Sequence, residues 1–383
     1  MIRIYLMNFF LAIATAMGMA FLPLLITENL GLSLLFLGII EGSNELLSNI
    51  LRLVTGRIFD KVKDKKIIFI ISSLLAFLAK LILFVPNSFT LILSKTIERS
   101  TNGIFAVSRD AYVGNNSVNK GFSLGLLTVT KTLGCIIGPV LVSYYTYFIG
   151  ELRENISSII FFTCLMSFLS LLIAFGVKSD TKDNIINDKI DITNFRELIP
   201  ICKNIYPLLL LGGLFFLGRF NDGVIMLSLK NQGFPEWFYV ATISFFNTAM
   251  IIISPIIGKL IDMKMEYKAL FITILSLLFF NIIFLNIDTV SYGLALAGLV
   301  CWGIQRAGAQ ITFVAMLFNR SEAANYGTIV GVYSIISGIS VFISSMLCGY
   351  LAQMSFDYVF ILSGCSSLVT LALALHMKMR RVL

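Results

Sequence analysis

Apolar residues run in long blocks, and short polar stretches separate one block from the next along the whole chain. A bilayer crossing takes about 20 mostly apolar residues in a helix. Twelve blocks meet that length: 4–27, 33–58, 66–86, 89–111, 121–149, 156–177, 206–230, 236–261, 268–287, 289–318, 325–352 and 356–377. Arg3 precedes the first block, as in a signal peptide. The block from Ile4 to Thr27 is too long for a typical signal core, so an uncleaved first helix is expected.

Most of the joins are short. The exception is 178–205, which carries ten charged residues and cannot sit in hydrocarbon. It divides the chain into an expected N-terminal six-helix bundle (1–177), a linker (178–205) and a C-terminal six-helix bundle (206–383). With the N-terminus in the cytoplasm and the spans alternating, twenty of the 29 Lys and Arg fall on the cytoplasmic side or at helix ends facing it. Arg153 and Lys230 alone fall on the opposite side, and seven lie within helices. Basic residues favour the cytoplasmic side. The expected topology is therefore a multi-pass protein of the inner, cytoplasmic membrane with both termini inside.

Composition supports the membrane class. Hydrophobic residues make up 57% of the 383 and charged residues 13%, against about 25% charged in soluble domains. Mean hydropathy is +0.90. The net charge of +8 follows from the one-sided basic loops, and no nucleic-acid partner is expected. Six cysteines, none in a CxxC pair, and a single histidine, His376, give no disulfide framework and no expected metal site. No cofactor is expected.

The two halves repeat. At an offset of 202, Asn29, Gly31, Phe36, Gly56, Asp60 and Lys66 meet Asn231, Gly233, Phe238, Gly258, Asp262 and Lys268. Further along the offset becomes 206, and Gly121 and Gly125 meet Gly327 and Gly331. Shared glycine-rich helix contacts do not account for the same Gly-x-x-x-Asp at the same helix end in both halves.

Between the second and third spans stands Gly56-Arg57-Ile58-Phe59-Asp60-Lys61, with Lys63, Lys65 and Lys66 following. This resembles the loop signature of the major facilitator superfamily, and Gly258 to Asp262 resembles its degenerate second copy. Arg99 to Ala106 in the fourth span resembles the family's Arg-x-x-Gln-Gly-x-x-Ala pattern, with Asn102 in place of Gln. Gly134, Gly138 and Pro139 in the fifth span resemble the Gly-x-x-x-Gly-Pro stretch of its exporters, where proline bends the helix. The resemblance implies an all-α membrane fold of twelve transmembrane helices in two pseudo-symmetric six-helix bundles. It implies a gating latch at Gly56, Asp60, Lys61, Gly258 and Asp262. It also implies a central cavity lined by spans 1, 4, 7 and 10, gating by spans 2, 5, 8 and 11, and lipid contact by spans 3, 6, 9 and 12.

Eleven ionisable residues lie inside the expected spans: Glu41, Glu45, Arg52, Lys80, Lys95, Glu98, Arg99, Lys131, Arg219, Asp222 and Arg306. At roughly 3 kcal/mol each, unpaired placement in lipid would cost about 30 kcal/mol. They must pair or face water. Arg52 and Lys80 read as structural cations, Lys80 snorkelling from a lipid-facing helix. The other nine are the expected substrate and proton site. Glu41 and Glu45 share a helical face and repel when both are ionised, which makes them the expected proton carriers. Arg219 and Asp222, three apart, are expected to pair directly. The nine carry five cations against four anions, so a charged substrate is expected to be anionic or zwitterionic.

No catalytic constellation is present, so an enzyme is not expected. A receptor or scaffold would need neither the repeat nor so many buried charges. The expected function is secondary transport of a small solute by a monomer in the bilayer, through alternating access with protons as coupling ion. Export by antiport is favoured by the helix 5 stretch. The alternative is uptake of a metabolite or a metal chelate such as a siderophore.

Overall fold

The computed structural model describes residues 1–61, 65–116, 120–150, 152–177, 205–287, 291–320 and 326–379. Among the described residues every regular element is helical. The first half contains α1 (Ile2–Leu24, continued by a π turn Leu25–Asn29), α2 (Leu34–Lys61), α3 (Lys65–Ile82), α4 (Ser88–Asn116), α5 (Lys120–Phe148) and α6 (Leu152–Phe175). The expected linker lies outside the described residues except for Ile205. The second half contains α7 (Tyr206–Leu217), α8 (Asp222–Asn231), α9 (Glu236–Val240), α10 (Thr242–Asp262), α11 (Glu266–Leu285), α12 (Tyr292–Asn319), α13 (Tyr326–Ala352) and α14 (Phe356–Met379).

The helices fall on the twelve expected blocks. Blocks 7 and 8 are each met by two helices, α7 with α8 and α9 with α10. Nine helical stretches among the described residues are long and apolar enough to cross a membrane by themselves. α4 is not among them, because Lys95, Glu98, Arg99, Arg109 and Asp110 all lie within it. A helix with so many charges spans a bilayer only when neighbouring helices shield and pair them.

The packing repeats as the sequence does. α1 packs on α5 and α6, α3 packs on α4 and α6, and α2 packs on α4. Six spans later, α7 packs on α13 and α14, and α11 packs on α12 and α14. The repeat extends to turn geometry. Gly31 has φ 61° and Gly233 has φ 83°, the left-handed region that glycine enters without steric cost. These are matched positions 202 residues apart. By contacts the chain forms two compact units, Met1–Ile186 with Ile225–Ser244, and Asn187–Val224 with Phe245–Leu383.

Glycines set the closest helix crossings. A Cβ at Gly134 would lie 2.7 Å from both the Ala12 Cβ and the Phe9 carbonyl oxygen, and one at Gly138 would lie 2.7 Å from the Ile13 carbonyl oxygen. α5 therefore lies against α1 backbone to backbone along the Gly-x-x-x-Gly face, and it continues as helix through Pro139. Gly103 of α4 meets the Ser48 carbonyl oxygen of α2 in the same way, at 2.9 Å. Gly303 of α12 meets the Phe246 carbonyl oxygen of α10 at the corresponding crossing of the second half.

Candidate functional site

The ionisable residues gather into two assemblies, one within each unit. In the first, the close crossing at Gly103 brings α4 onto α2 one turn away from Arg99. That approach lets the cations of α4 reach the carboxylates of α2, and α3 contributes Lys80. The result is a continuous ladder. Lys80 Nζ donates to Glu98 Oε1 at 2.5 Å. Glu98 lies 3.7 Å from Lys95, and Lys95 lies 3.4 Å from Glu41. Arg99 donates to Glu41 at 3.0 Å and approaches Glu45 at 3.7 Å. Three cations alternate with three anions. The Lys80, Glu98 and Lys95 end is at most 2% exposed, and exposure reaches 41% at Glu45.

This geometry corrects the reading of Lys80. It does not snorkel to lipid but is buried in the bundle, where Glu98 holds it. Gly18 of α1 makes room for it, since a Cβ there would stand 2.9 Å from Nζ. The lipid-facing assignment failed because one face of α3 points inward. The Glu41 and Glu45 pair is also changed. Arg99 sits between the two carboxylates, so their repulsion is offset by a shared cation.

Lys131 is elsewhere in the same unit. It is exposed on α5. α4 runs on to Asn116, and Arg109 is buried, donating to Asn8 Oδ1 and, at 3.0 Å, to Asp110. Its guanidinium lies 5.6 Å from the Phe105 ring centroid. Asn8 in turn donates to the Leu127 carbonyl at 2.9 Å, tying α1, α4 and α5 together.

The second assembly is built on a break in the seventh span. α7 ends at Leu217 with Gly218 as its C-cap, and α8 begins at Asp222. Ser363 and Ser366 of α14 donate to the carbonyls of Gly218 (2.5 Å) and Leu214 (2.9 Å), satisfying acceptors near the end of α7. Asn221 Oδ1 accepts from the Gly223 N–H at 2.5 Å, capping α8. Asp222 then stands in the first turn of α8, where a helix favours negative charge.

Asp222 has partners from another helix besides the neighbour expected. Arg306 of α12 donates to it, and the Trp302 indole N–H donates at 2.9 Å. The helix expected to set the Arg219–Asp222 spacing is interrupted between them. Arg219 lies 5.7 Å from the Phe216 ring centroid, and Arg306 lies 4.8 Å from that of Phe246. Phe216, Phe313 and Tyr333 form an aromatic group with centroids 6.0 to 6.4 Å apart.

Of the expected latch, α2 runs through Gly56, Asp60 and Lys61, but their side chains lie outside the described residues. In the second copy, Asp262 is exposed as the last residue of α10, and a Cβ at Gly258 would meet no atom within 4 Å. The turn at the opposite end of the first unit holds an ion pair the sequence reading did not contain, Glu28 with Lys230. The two positions are separated by 202 residues, the offset of the repeat.

The model of the Major Facilitator Superfamily matches residues 4–345. The chain belongs to the Major Facilitator Superfamily. An uncharacterized MFS-type transporter of Methanocaldococcus jannaschii is 26% identical over 374 residues, covering 93% of this chain and 89% of that protein. A mutant of the nucleoside transporter NupG has the same fold, with a TM-score of 0.84, 12% identity and coverage of 98% and 99% of the two chains. A POT family transporter crystallised with a thioalcohol-conjugated peptide gives 0.79 at 13% identity, covering 99% and 96%. The superfamily chain described here is thus a multi-pass membrane transporter.

Several members of the two assemblies were not singled out from the sequence: Gly18 beside Lys80, and Asn221, Trp302 and Tyr333 around the break. Gly218-Arg219-Phe220-Asn221-Asp222 carries the signal that was available. A glycine followed by Asn-Asp inside an apolar run marks a helix stop and a new N-cap.

Proposed function

We propose that this transporter couples movement of a small solute to protons by alternating access, with the ladder in the first half as the proton-responsive element. The alternating ladder of Lys80, Glu98, Lys95, Glu41, Arg99 and Glu45 carries this reading. It is electrically balanced, so one added proton leaves a cation without its partner. A proton arriving at Glu45, the exposed end, weakens that residue's hold on Arg99. A proton on Glu41 weakens the hold on both Lys95 and Arg99 and leaves each with one carboxylate, Glu98 and Glu45 respectively. Either event changes which helix contacts are favourable between α2 and α4. One of the solved structures sharing the fold concerns substrate recognition in proton dependent oligopeptide transporters, and the same coupling ion is proposed here.

The working direction is export by antiport, with uptake of a metabolite or metal chelate as the alternative. The protein is proposed to act as a monomer in the inner membrane, with both termini cytoplasmic, as the basic loops indicate. The domain division is proposed at 1–177, 178–205 and 206–383, with the signature at Gly56, Asp60 and Lys61 as a latch and its second copy at Gly258 and Asp262.

Reconstitution tests the coupling. In proteoliposomes containing a pH-sensitive dye, a transported solute should move protons in the wild type. Glu41→Gln should lower gradient-driven transport at least about tenfold while solute exchange without a gradient continues. Equal loss of both, or loss of neither, would remove Glu41 from the coupling step.

A further inference from the structure

We propose that Lys131 contacts the anionic group of the transported solute, on a face of α5 that meets water inside the membrane. This inference rests on the transport reading and adds a substrate class to it. It concerns the first unit alone.

The first observation is a pair of cations left over. Eight of the eleven ionisable residues of the expected spans stand in the ion pairs described above, and Arg219 lies over the Phe216 ring. Arg52 and Lys131 remain. Both are exposed, and among the described residues neither side chain holds a carboxylate or a hydrogen bond. The second observation is the way α5 divides its surface. Leu127, Gly134 and Gly138 turn toward α1, whose Asn8 donates to the Leu127 carbonyl at 2.9 Å. Phe122, Leu126, Val129 and Leu133 are exposed and share one side of the helix, as a face in lipid would. Leu124, Thr128 and Lys131 are exposed on another side, at helical spacing. α5 begins at Lys120, so Lys131 stands about 16 Å along it. An ammonium at that depth is costly against lipid and must face protein or water. Lys131 is exposed, so its face meets water.

The third observation is the sign of the neighbourhood. Thr130, next to Lys131, accepts from Asn8 at 3.0 Å, and Asn8 accepts from Arg109. Arg109 therefore stands at the depth of Lys131. Asp110, the carboxylate beside it, is engaged by Arg109 at 3.0 Å. α2 and α4 run in parallel, since Glu41, Glu45 and Ser48 meet Lys95, Arg99 and Gly103 in turn. Arg52, one turn past Ser48, thus reaches the level of Val107, within a turn of Arg109. Among the described residues, three cations, Arg52, Arg109 and Lys131, stand at this depth with one carboxylate, Asp110. A positive field between low-dielectric walls concentrates anions and repels cations. The solute that Lys131 meets therefore carries negative charge.

Lysine acetylation tests this on the wild-type protein in open membrane sheets. Sulfosuccinimidyl acetate is anionic and confined to water, whereas succinimidyl acetate is neutral and enters lipid. Peptide mass spectrometry should find Lys131 acetylated by the anionic reagent and Lys80, held in its ion pair, unmodified by it. The anionic-to-neutral ratio should be higher at Lys131 than at Lys259, which is exposed near Asp262 at the end of α10. Cysteine variants then compare two sides of α5, with the six native cysteines replaced by alanine. Thr128→Cys should favour sulfonatoethyl over trimethylammonioethyl methanethiosulfonate about tenfold more than mercaptoethanol does, because one unit charge acts on both reagents from about 6 Å. The thiolate fraction cancels from that ratio. Lys131→Gln should remove most of the preference, Lys131→Arg should keep it, and Val129→Cys should react with neither reagent. The proposal is overturned if Lys131 reacts only with the neutral acetylating reagent or with no higher ratio than Lys259. It is equally overturned if the preference at Thr128→Cys is absent or survives Lys131→Gln, or if Val129→Cys labels as fast. The expected labelling in a protein that moves no solute in liposomes would defeat the transport reading and leave the water-facing cation standing. Transport of cations alone would do the reverse.

Discussion

Lys80→Met should destabilise the purified protein by about 3–5 kcal/mol, the usual cost of removing one partner from a buried ion pair. The Lys80 ammonium and the Glu98 carboxylate are 2.5 Å apart and each is 2% exposed. Methionine fills much of the lysine stem's volume but leaves Glu98 with only Lys95, at 3.7 Å. The double variant Lys80→Met, Glu98→Leu should recover most of the loss. It removes one charge of each sign and leaves Lys95 and Arg99 balanced by Glu41 and Glu45. Buried ion pairs replaced by apolar residues are often neutral in stability. Unfolding of wild type, both single variants and the double variant in the same detergent closes the cycle. A single variant as stable as wild type would mean that the Lys80 ammonium reaches the membrane surface. A double variant worse than the sum of the singles would mean that the pair is not their main partner.

That pair also marks how far the sequence could be read. Length and apolarity located the spans because a helix crossing hydrocarbon needs a fixed number of apolar residues. The repeat was legible because Asn-x-Gly and Gly-x-x-x-Asp recur at one offset, and the left-handed Gly31 and Gly233 give the first of these a physical basis. Which buried charges meet was not legible. Glu41, Lys95 and Arg99 come together through the register of α4 against α2, and Gly103 fixes that crossing in three dimensions. Lys80 was misread because a whole helix was assigned to lipid, whereas burial is a property of one face.

The break in the seventh span shows a second limit. Pairing Arg219 with Asp222 assumed 3.6 residues per turn through Gly218. The helix stops there, so the spacing carries no information, and Asp222 also takes as partners Arg306 and Trp302, about eighty positions away. A glycine, an N-capping asparagine and an acidic first residue were all visible in the sequence, but hydropathy averaged over a span does not register them. The Glu28–Lys230 pair was hidden for the opposite reason. Each residue lies in a polar turn, where charges are ordinary, and only the folded chain brings the matched positions together.

The second large effect is expected at Gly138. Gly138→Leu should prevent α1 and α5 from packing and leave little folded protein, and Gly138→Ala should cost about 1–3 kcal/mol as an overpacked contact. A Cβ at this position would lie 2.7 Å from the Ile13 carbonyl oxygen, 3.0 Å from the Met17 nitrogen and 3.1 Å from the Ala16 Cβ. Two of these three atoms are backbone inside α1 and cannot rotate away. The same helix supplies its own control. A Cβ at Gly125 would meet nothing within 4 Å, so Gly125→Ala should be neutral or stabilising, by up to about 1 kcal/mol from helix propensity. Thermal unfolding of the three variants in one detergent separates two readings of the Gly-x-x-x-Gly-Pro stretch. If it serves packing, stability falls at Gly138 and transport falls only with it. If it serves as a functional bend, Gly138→Ala and Pro139→Ala should reduce transport while unfolding is little changed. A Gly138→Leu protein that unfolds like wild type would contradict the backbone contact itself, because no side-chain rearrangement relieves a clash with the Ile13 carbonyl.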